Sequence, residues 1–139
     1  MKLVVDANIL FAALIKKDST AELLLNDKLH LIAPEFLFEE FAKYKELVLK
    51  KTHRSNKDFN NFLDLLRDRI TIVPKRLIMP FINEASQISP DPKDSIYLAL
   101  AIAFKSDIWS NDNNLKKAQD KITVLSTSDL IKKTNFLNI

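Results

Sequence analysis

The sequence contains no glycine and no cysteine. Without cysteine there is no disulfide scaffold, thiolate nucleophile, iron–sulfur cluster or Cys-based zinc site. Without glycine, the two backbone cradles for phosphate are excluded, the Walker loop and the dinucleotide fingerprint, because each needs conformations that a Cβ disfavours. The glycine-flanked nucleophile elbow of serine hydrolases goes with them. Any phosphate chemistry must therefore run through side chains or metals. Histidine is scarce too: His30 and His53 are too few and too scattered to suggest a histidine metal site, so acid–base work falls to carboxylates. No N-terminal stretch reads as a signal peptide, and no run approaches the ~18 apolar residues of a membrane span. A cytoplasmic location without membrane contact is the expectation.

What remains is an ordinary globular composition, 139 residues with 47% hydrophobic and 28% charged. A chain of that length buries roughly 68% of its unfolded surface, so a single domain over residues 1–139 is expected to fold without staples. Its 21 Lys and Arg against 18 Asp and Glu leave a net charge of +3, which permits nucleic-acid binding without requiring it.

Along the chain, short apolar β-favouring runs alternate with helical patterns. Lys2–Asp6, His30–Ala33, Ile70–Val73, Asp107–Ser110 and Ile122–Leu125 read as strands, continuous in apolar character where buried on both faces. Between them the patterns predict helices over Asn8–Lys17, after a capping box at Ser19–Glu22, from Pro34 to about Lys51, over Ser55–Asp68, around Leu77–Ile88 and over 93–105. Two more come after Asp112 and Ser126. Such alternation specifies an α/β layered fold with a mostly parallel sheet, in which ligands bind beyond the carboxyl ends of the strands. The residues just past the strands are acidic.

Asp6 ends the first strand, where it can close an Asx turn, cap a helix or serve a site; Asn8 is a turn residue beside it. Glu40 shares a helical face with Phe36, Leu37, Tyr44 and Leu47, whereas Glu39 falls with Glu35, Lys43 and Glu46 on a solvated side. A carboxylate on an apolar stripe needs a cation or donors, which makes Glu40 the informative one, unless it snorkels at the core edge. In Asp91-Pro92-Lys93-Asp94, Asp91 suits an N-cap, while Asp94 is in phase with Tyr97, Leu98 and Ala101. Asp112 comes after a strand and either caps the next helix or joins a site, with Ser110 placed to hydrogen-bond a nearby carboxylate. Gathered in one crevice, Asp6, Glu40, Asp94 and Asp112 would repel one another unless a cation neutralised them. Oxygen ligands alone favour Mg²⁺ or Mn²⁺ over zinc, and phosphodiester hydrolysis is the chemistry such ions serve.

VVDAN, APEFLFEEF, DPKDSIYLALA and IWSND, in that order and spacing, resemble the PIN-domain nucleases. Within them the chain is similar to VapC-type toxins and their archaeal relatives. The resemblance matches the family's acids to Asp6, Glu40, Asp94 and Asp112, its polar residue to Asn8 and its hydroxyl to Ser110. It implies a PIN-like, Rossmann-like three-layer sandwich on a parallel five-stranded sheet, and a metal-dependent ribonuclease. It also implies a homodimer or higher oligomer and, for toxins, silencing by a protein antitoxin. Relatives often carry glycine before the fourth strand, where this chain has Lys105-Ser106-Asp107.

The expected mechanism places Mg²⁺ or Mn²⁺ on Asp6 and Asp94, with Asp112 and Glu40 reaching it through water or holding a second ion. Asn8 and Ser110 orient carboxylates and waters, and Asp91 either joins them or only caps. The RNA backbone would be gripped by the cation run between residues 43 and 57, chiefly Lys43, Lys50, Lys51 and Arg54, a stretch that can equally be a solvated helix end. A non-toxin RNA-processing nuclease and a silent RNA- or partner-binding module stay open as alternatives.

Overall fold

β1 (Lys2–Val5), β2 (His30–Pro34), β3 (Ile70–Val73), β4 (Asp107–Trp109) and β5 (Val124–Leu125) build the computed structural model, which describes residues 1–15 and 19–137. They form one five-stranded sheet in the order β3-β2-β1-β4-β5. Every pairing is parallel, so the expected mostly parallel sheet is wholly so. Val4 lies between Ile32 and Ile108 in the register, and all three are buried. Continuous apolar strands result from this position, because helices cover both faces and leave no wet side to alternate toward.

The connecting helices are α1 (Ala7–Ile15), α2 (Thr20–Leu24), α3 (Phe36–Lys43), α4 (Lys45–Thr52), α5 (Asn56–Arg69), α6 (Lys75–Ile78), α7 (Ile82–Ile88), α8 (Ser95–Phe104), α9 (Asn113–Ala118) and α10 (Thr127–Leu137). α8, SIYLALAIAF, is apolar nearly all round because it lies over β1, β2 and β4 with α6 and α7 against its other side. α1 packs on α2, α3 and α4. The end of the helix expected over Asn8–Lys17 lies outside the described residues.

Several boundaries differ from expectation. Pro34 is the last residue of β2 rather than the first turn of a helix. The long helix predicted from there is broken at Tyr44, whose φ −103° and ψ 12° separate α3 from α4. The break shifts the buried face from one helix to the next: Phe41 and Val48 are buried, while Tyr44 and Leu47 are 45% and 50% exposed. Pro80 likewise splits the segment around Leu77–Ile88 into α6, a 3₁₀ turn over Met79–Phe81 and α7. Ser19 precedes α2 but makes no side-chain cap bond. The reciprocal box forms instead at α10, where Ser126 Oγ accepts from the Asp129 amide at 3.1 Å and Asp129 Oδ2 from the Ser126 amide at 2.9 Å.

The missing glycine is met by strain and by side chains. α8 ends with Lys105 in the left-handed region (φ 51°, ψ 49°), and the Ser106 amide donates to Ala101 O at 2.9 Å, the wrap that glycine usually makes. His53 ends α4 in the same region, φ 56°. Between α2 and β2 the Arg69 guanidinium holds the carbonyls of Leu24, Asn26 and Leu29 at 3.1, 2.7 and 3.1 Å.

Candidate active site

The strand order reverses between β1 and β4, which opens a crevice beyond their carboxyl ends. Asp6 lies just past one strand and Ser110 just past the other. Ser110 Oγ donates to Asp6 Oδ2 at 2.8 Å, and the same hydroxyl accepts from the Asp112 amide at 3.1 Å. Asp6 Oδ1 accepts from the Asn8 amide at 3.3 Å. Asp6 thus closes an Asx turn with one oxygen and ties β1 to the end of β4 with the other. Burial pushes the Asp6 carboxyl above its usual range, against the pull of the Ser110 and Asn8 hydrogen bonds.

Asp94 closes a 3₁₀ turn over Pro92–Asp94 and leads into α8. Burial first, then repulsion from Asp112, Asp6, Asp91 and Glu40, pushes its carboxyl up to about 6. Asp91 caps that turn, accepting from the Lys93 amide at 3.0 Å, and lines the crevice as well. Asp112 caps α9 through Oδ1, 2.9 Å from the Asn114 amide and 3.3 Å from that of Leu115.

Glu40 is half-buried and Glu39 exposed, as the helical phase required. The Tyr97 hydroxyl, from α8, donates to Glu40 Oε2 at 3.2 Å. Burial and the charges of Asp6 and Glu40 raise the Tyr97 pKa, keeping the phenol protonated as a donor. Asp6, Glu40, Asp91, Asp94 and Asp112 line one cleft of about 400 Å³. A larger hollow, about 600 Å³, lies at the opposite end of the sheet near Lys105 and Lys121 and contains none of them.

The family model described as PIN domain matches residues 4–129, reaching from β1 into α10 and spanning every one of these acids. The chain belongs to the PIN-domain family. Members of that family are generally nucleases and typically use divalent metals. None of the curated proteins compared matches the chain.

In this PIN domain the donor set is all oxygen, which suits a hard cation. Among the described residues no group of three or more His, Cys, Asp or Glu side chains is arranged to hold a metal ion by itself. The raised Asp6 and Asp94 nevertheless show repulsion and burial that a cation would relieve, with waters completing the shell, as Mg²⁺ prefers. In their chemistry the residues present fit such an ion.

The structure brings Asp6, Asn8, Glu40, Asp91, Asp94 and Asp112 to the cleft. Of the cations read from the sequence, Lys51 also lines it. Lys43, Lys50 and Arg54 are exposed and stand outside its wall. Two residues were missed. Lys93 lines the cleft, and its place between Asp91 and Asp94 was the available signal. Tyr97 served only to set the phase of a helix, since nothing local links it to Glu40. Trp109 is core, as expected, with its Nε1 donating to Thr127 Oγ1 at 3.1 Å.

Proposed function

We propose that this PIN domain is a metal-dependent endoribonuclease that hydrolyses RNA phosphodiester bonds, and that it acts as the toxin of a toxin–antitoxin pair. The observation that carries the nuclease reading is the meeting of Asp6, Glu40, Asp94 and Asp112 in one cleft at the reversal of strand order.

Asp6 and Asp94 would hold Mg²⁺ or Mn²⁺, with Asp112 and Glu40 acting through water. The bound ion supplies an acidified water and charge neutralisation at the phosphoryl oxygens. Ser110 fixes the Asp6 carboxylate and the Asp112 backbone in one orientation, and the Asn8 amide holds the second Asp6 oxygen. The Tyr97 hydroxyl, staying protonated, donates to Glu40 and holds that side chain at the cleft. Lys51 and Lys93 offer the positive charge that a polyanion needs to approach so acidic a crevice.

The resemblance to VapC-type toxins supports RNA as substrate, a homodimer and a protein antitoxin. Cleavage of RNA in Mn²⁺ or Mg²⁺ that stops in EDTA and in the Asp6→Asn/Asp94→Asn double variant is the expected result. Undiminished cleavage under either condition overturns the metal-nuclease reading. Growth arrest on expression of the chain alone, relieved by the double variant, is the expected toxin phenotype.

A further inference from the structure

We propose that the cleft has two subsites for one strand of nucleic acid: a base seated against Tyr44 and Leu47 on one side of the acids, and a neighbouring phosphate held by Lys117 on the other. This rests on the nuclease reading above and names residues that reading does not use.

Asp91, Asp94 and Asp112 each line two hollows, the cleft of about 400 Å³ and a second one of about 460 Å³. The acids are therefore a divide with open space on both sides, a shape that suits a chain passing across rather than a small molecule held at its end. The two sides differ in chemistry. In the first, Ile15, Tyr44 and Leu47 are 44%, 45% and 50% exposed, an apolar surface left open next to carboxylates. The second has no aromatic wall and presents Asn114 and Lys117 of α9.

Tyr44 is held in place by a row of rings. It meets Phe11 edge-on, with centroids 5.6 Å apart and planes at 89°. Phe11 in turn packs on Phe41 at 5.1 Å, and Phe41 stacks on Phe59 at 5.2 Å. This row, drawn from α1, α3 and α5, ends at the cleft in the exposed Tyr44 ring, which offers area for a planar apolar group. A nucleobase is such a group, and base–aromatic stacking tolerates any sequence. Lys51 and Lys93 in the same cleft complement the phosphates flanking that base.

On the far side Lys116 is engaged by Asp129 at 2.6 Å, which leaves the adjacent Lys117 as the exposed lysine on the second hollow. The apolar shelf, the acids and Lys117 then succeed one another in the order base, scissile region, phosphate.

The test is binding of fluorescein-labelled RNA octamers to the intact protein in EDTA, one octamer unmodified and each of the others abasic at a single position. One abasic position is expected to weaken binding about tenfold. Tyr44→Leu should weaken the unmodified octamer by a similar factor and abolish the abasic effect. Lys117→Ala should lower the slope of log Kd against log salt by about 0.7 and leave the abasic effect intact. Indifference to every abasic position, or Tyr44→Leu binding like wild type, overturns the base subsite. Loss of self-association in Tyr44→Leu with unchanged RNA binding would assign the shelf to a second copy, and a protein segment that binds there without displacing RNA would likewise overturn it. A protein that shows these binding effects yet cleaves nothing in Mn²⁺ keeps the subsites and loses the nuclease reading. One that cleaves without them does the reverse.

Discussion

Ser110 and Asp6 stand 104 residues apart in the chain and 2.8 Å apart in the fold, hydroxyl to carboxylate. One small side chain thereby joins the ends of the two strands between which the strand order reverses. Ser110→Ala would remove that donor and also the acceptor for the Asp112 amide. Loss of support for a metal-binding carboxylate typically costs 10–100-fold in metal affinity. Titration with Mn²⁺, monitored by thermal stability, should shift by about that factor while the chelated protein stays folded, destabilised by about 1–3 kcal/mol.

Asp94 provides a pH test whose sign is set by its raised pKa, about 6 against an ordinary 3.8. Between those values the folded protein binds more protons than the unfolded chain, so this group lowers stability as pH rises and its penalty is complete above about 6. In EDTA, Asp94→Asn should melt higher than wild type at pH 7. The gap should shrink as pH falls toward 4, and a gap that widens on acidification would contradict the assignment. Added Mn²⁺ should reverse the order at pH 7, because the variant loses a ligand while the wild type exchanges repulsion for binding.

Tyr97→Phe isolates the hydrogen bond to Glu40. The ring is buried, so its packing survives and the change in stability should stay within about 0.5–1.5 kcal/mol. RNA cleavage should fall in kcat, by about tenfold, with little change in KM, because Glu40 loses its orientation rather than the cleft its shape. A change confined to KM would place Tyr97 in substrate binding instead.

Lys105 and His53 occupy left-handed backbone where a Cβ is unfavourable, at roughly 1–2 kcal/mol each. Glycine removes that strain but loosens the unfolded chain. Lys105→Gly is therefore expected to gain about 0.5–1 kcal/mol, seen as a rise of a few degrees in Tm. His53→Gly should do the same. A fall in Tm for Lys105→Gly would mean that its side chain contributes more than its backbone loses.

Much of the fold, and the acids that line the candidate cleft, were legible from residues alone. Leu3-Val4-Val5 and Leu31-Ile32-Ala33 announce buried parallel strands because both their faces are covered. Glu40 was separable from Glu39 because helical phase turns it inward, whereas Asp91, read chiefly as a cap, both caps its turn and lines the cleft beside Asp94. The break at Tyr44 was not legible: no proline or glycine marks it. Its consequence, an apolar shelf turned out of the core, therefore looked like buried stripe. The capping signal Ser19–Glu22 matched its pattern as well as Ser126–Asp129 does, yet only the latter forms the reciprocal bonds, since a cap depends on backbone angles that four residues do not set.

The amino-acid sequence by itself determined the chemistry available: no glycine cradle and no thiol, and acids just past the strands and on a helix's inner face. That much is local, being composition and period. Only the tertiary structure decided which groups meet. Tyr97 reaches Glu40 across 57 residues, Ser110 reaches Asp6, and Lys93 and Lys117 face the acids while Lys43, Lys50 and Arg54 do not. Such pairings arise from the order of strands and the packing of α8 over the sheet, which no spacing along the chain encodes. The absent glycine divides the same way: its exclusions were readable at once, but its substitution by a strained Lys105 and by Arg69 on three carbonyls belongs to the fold.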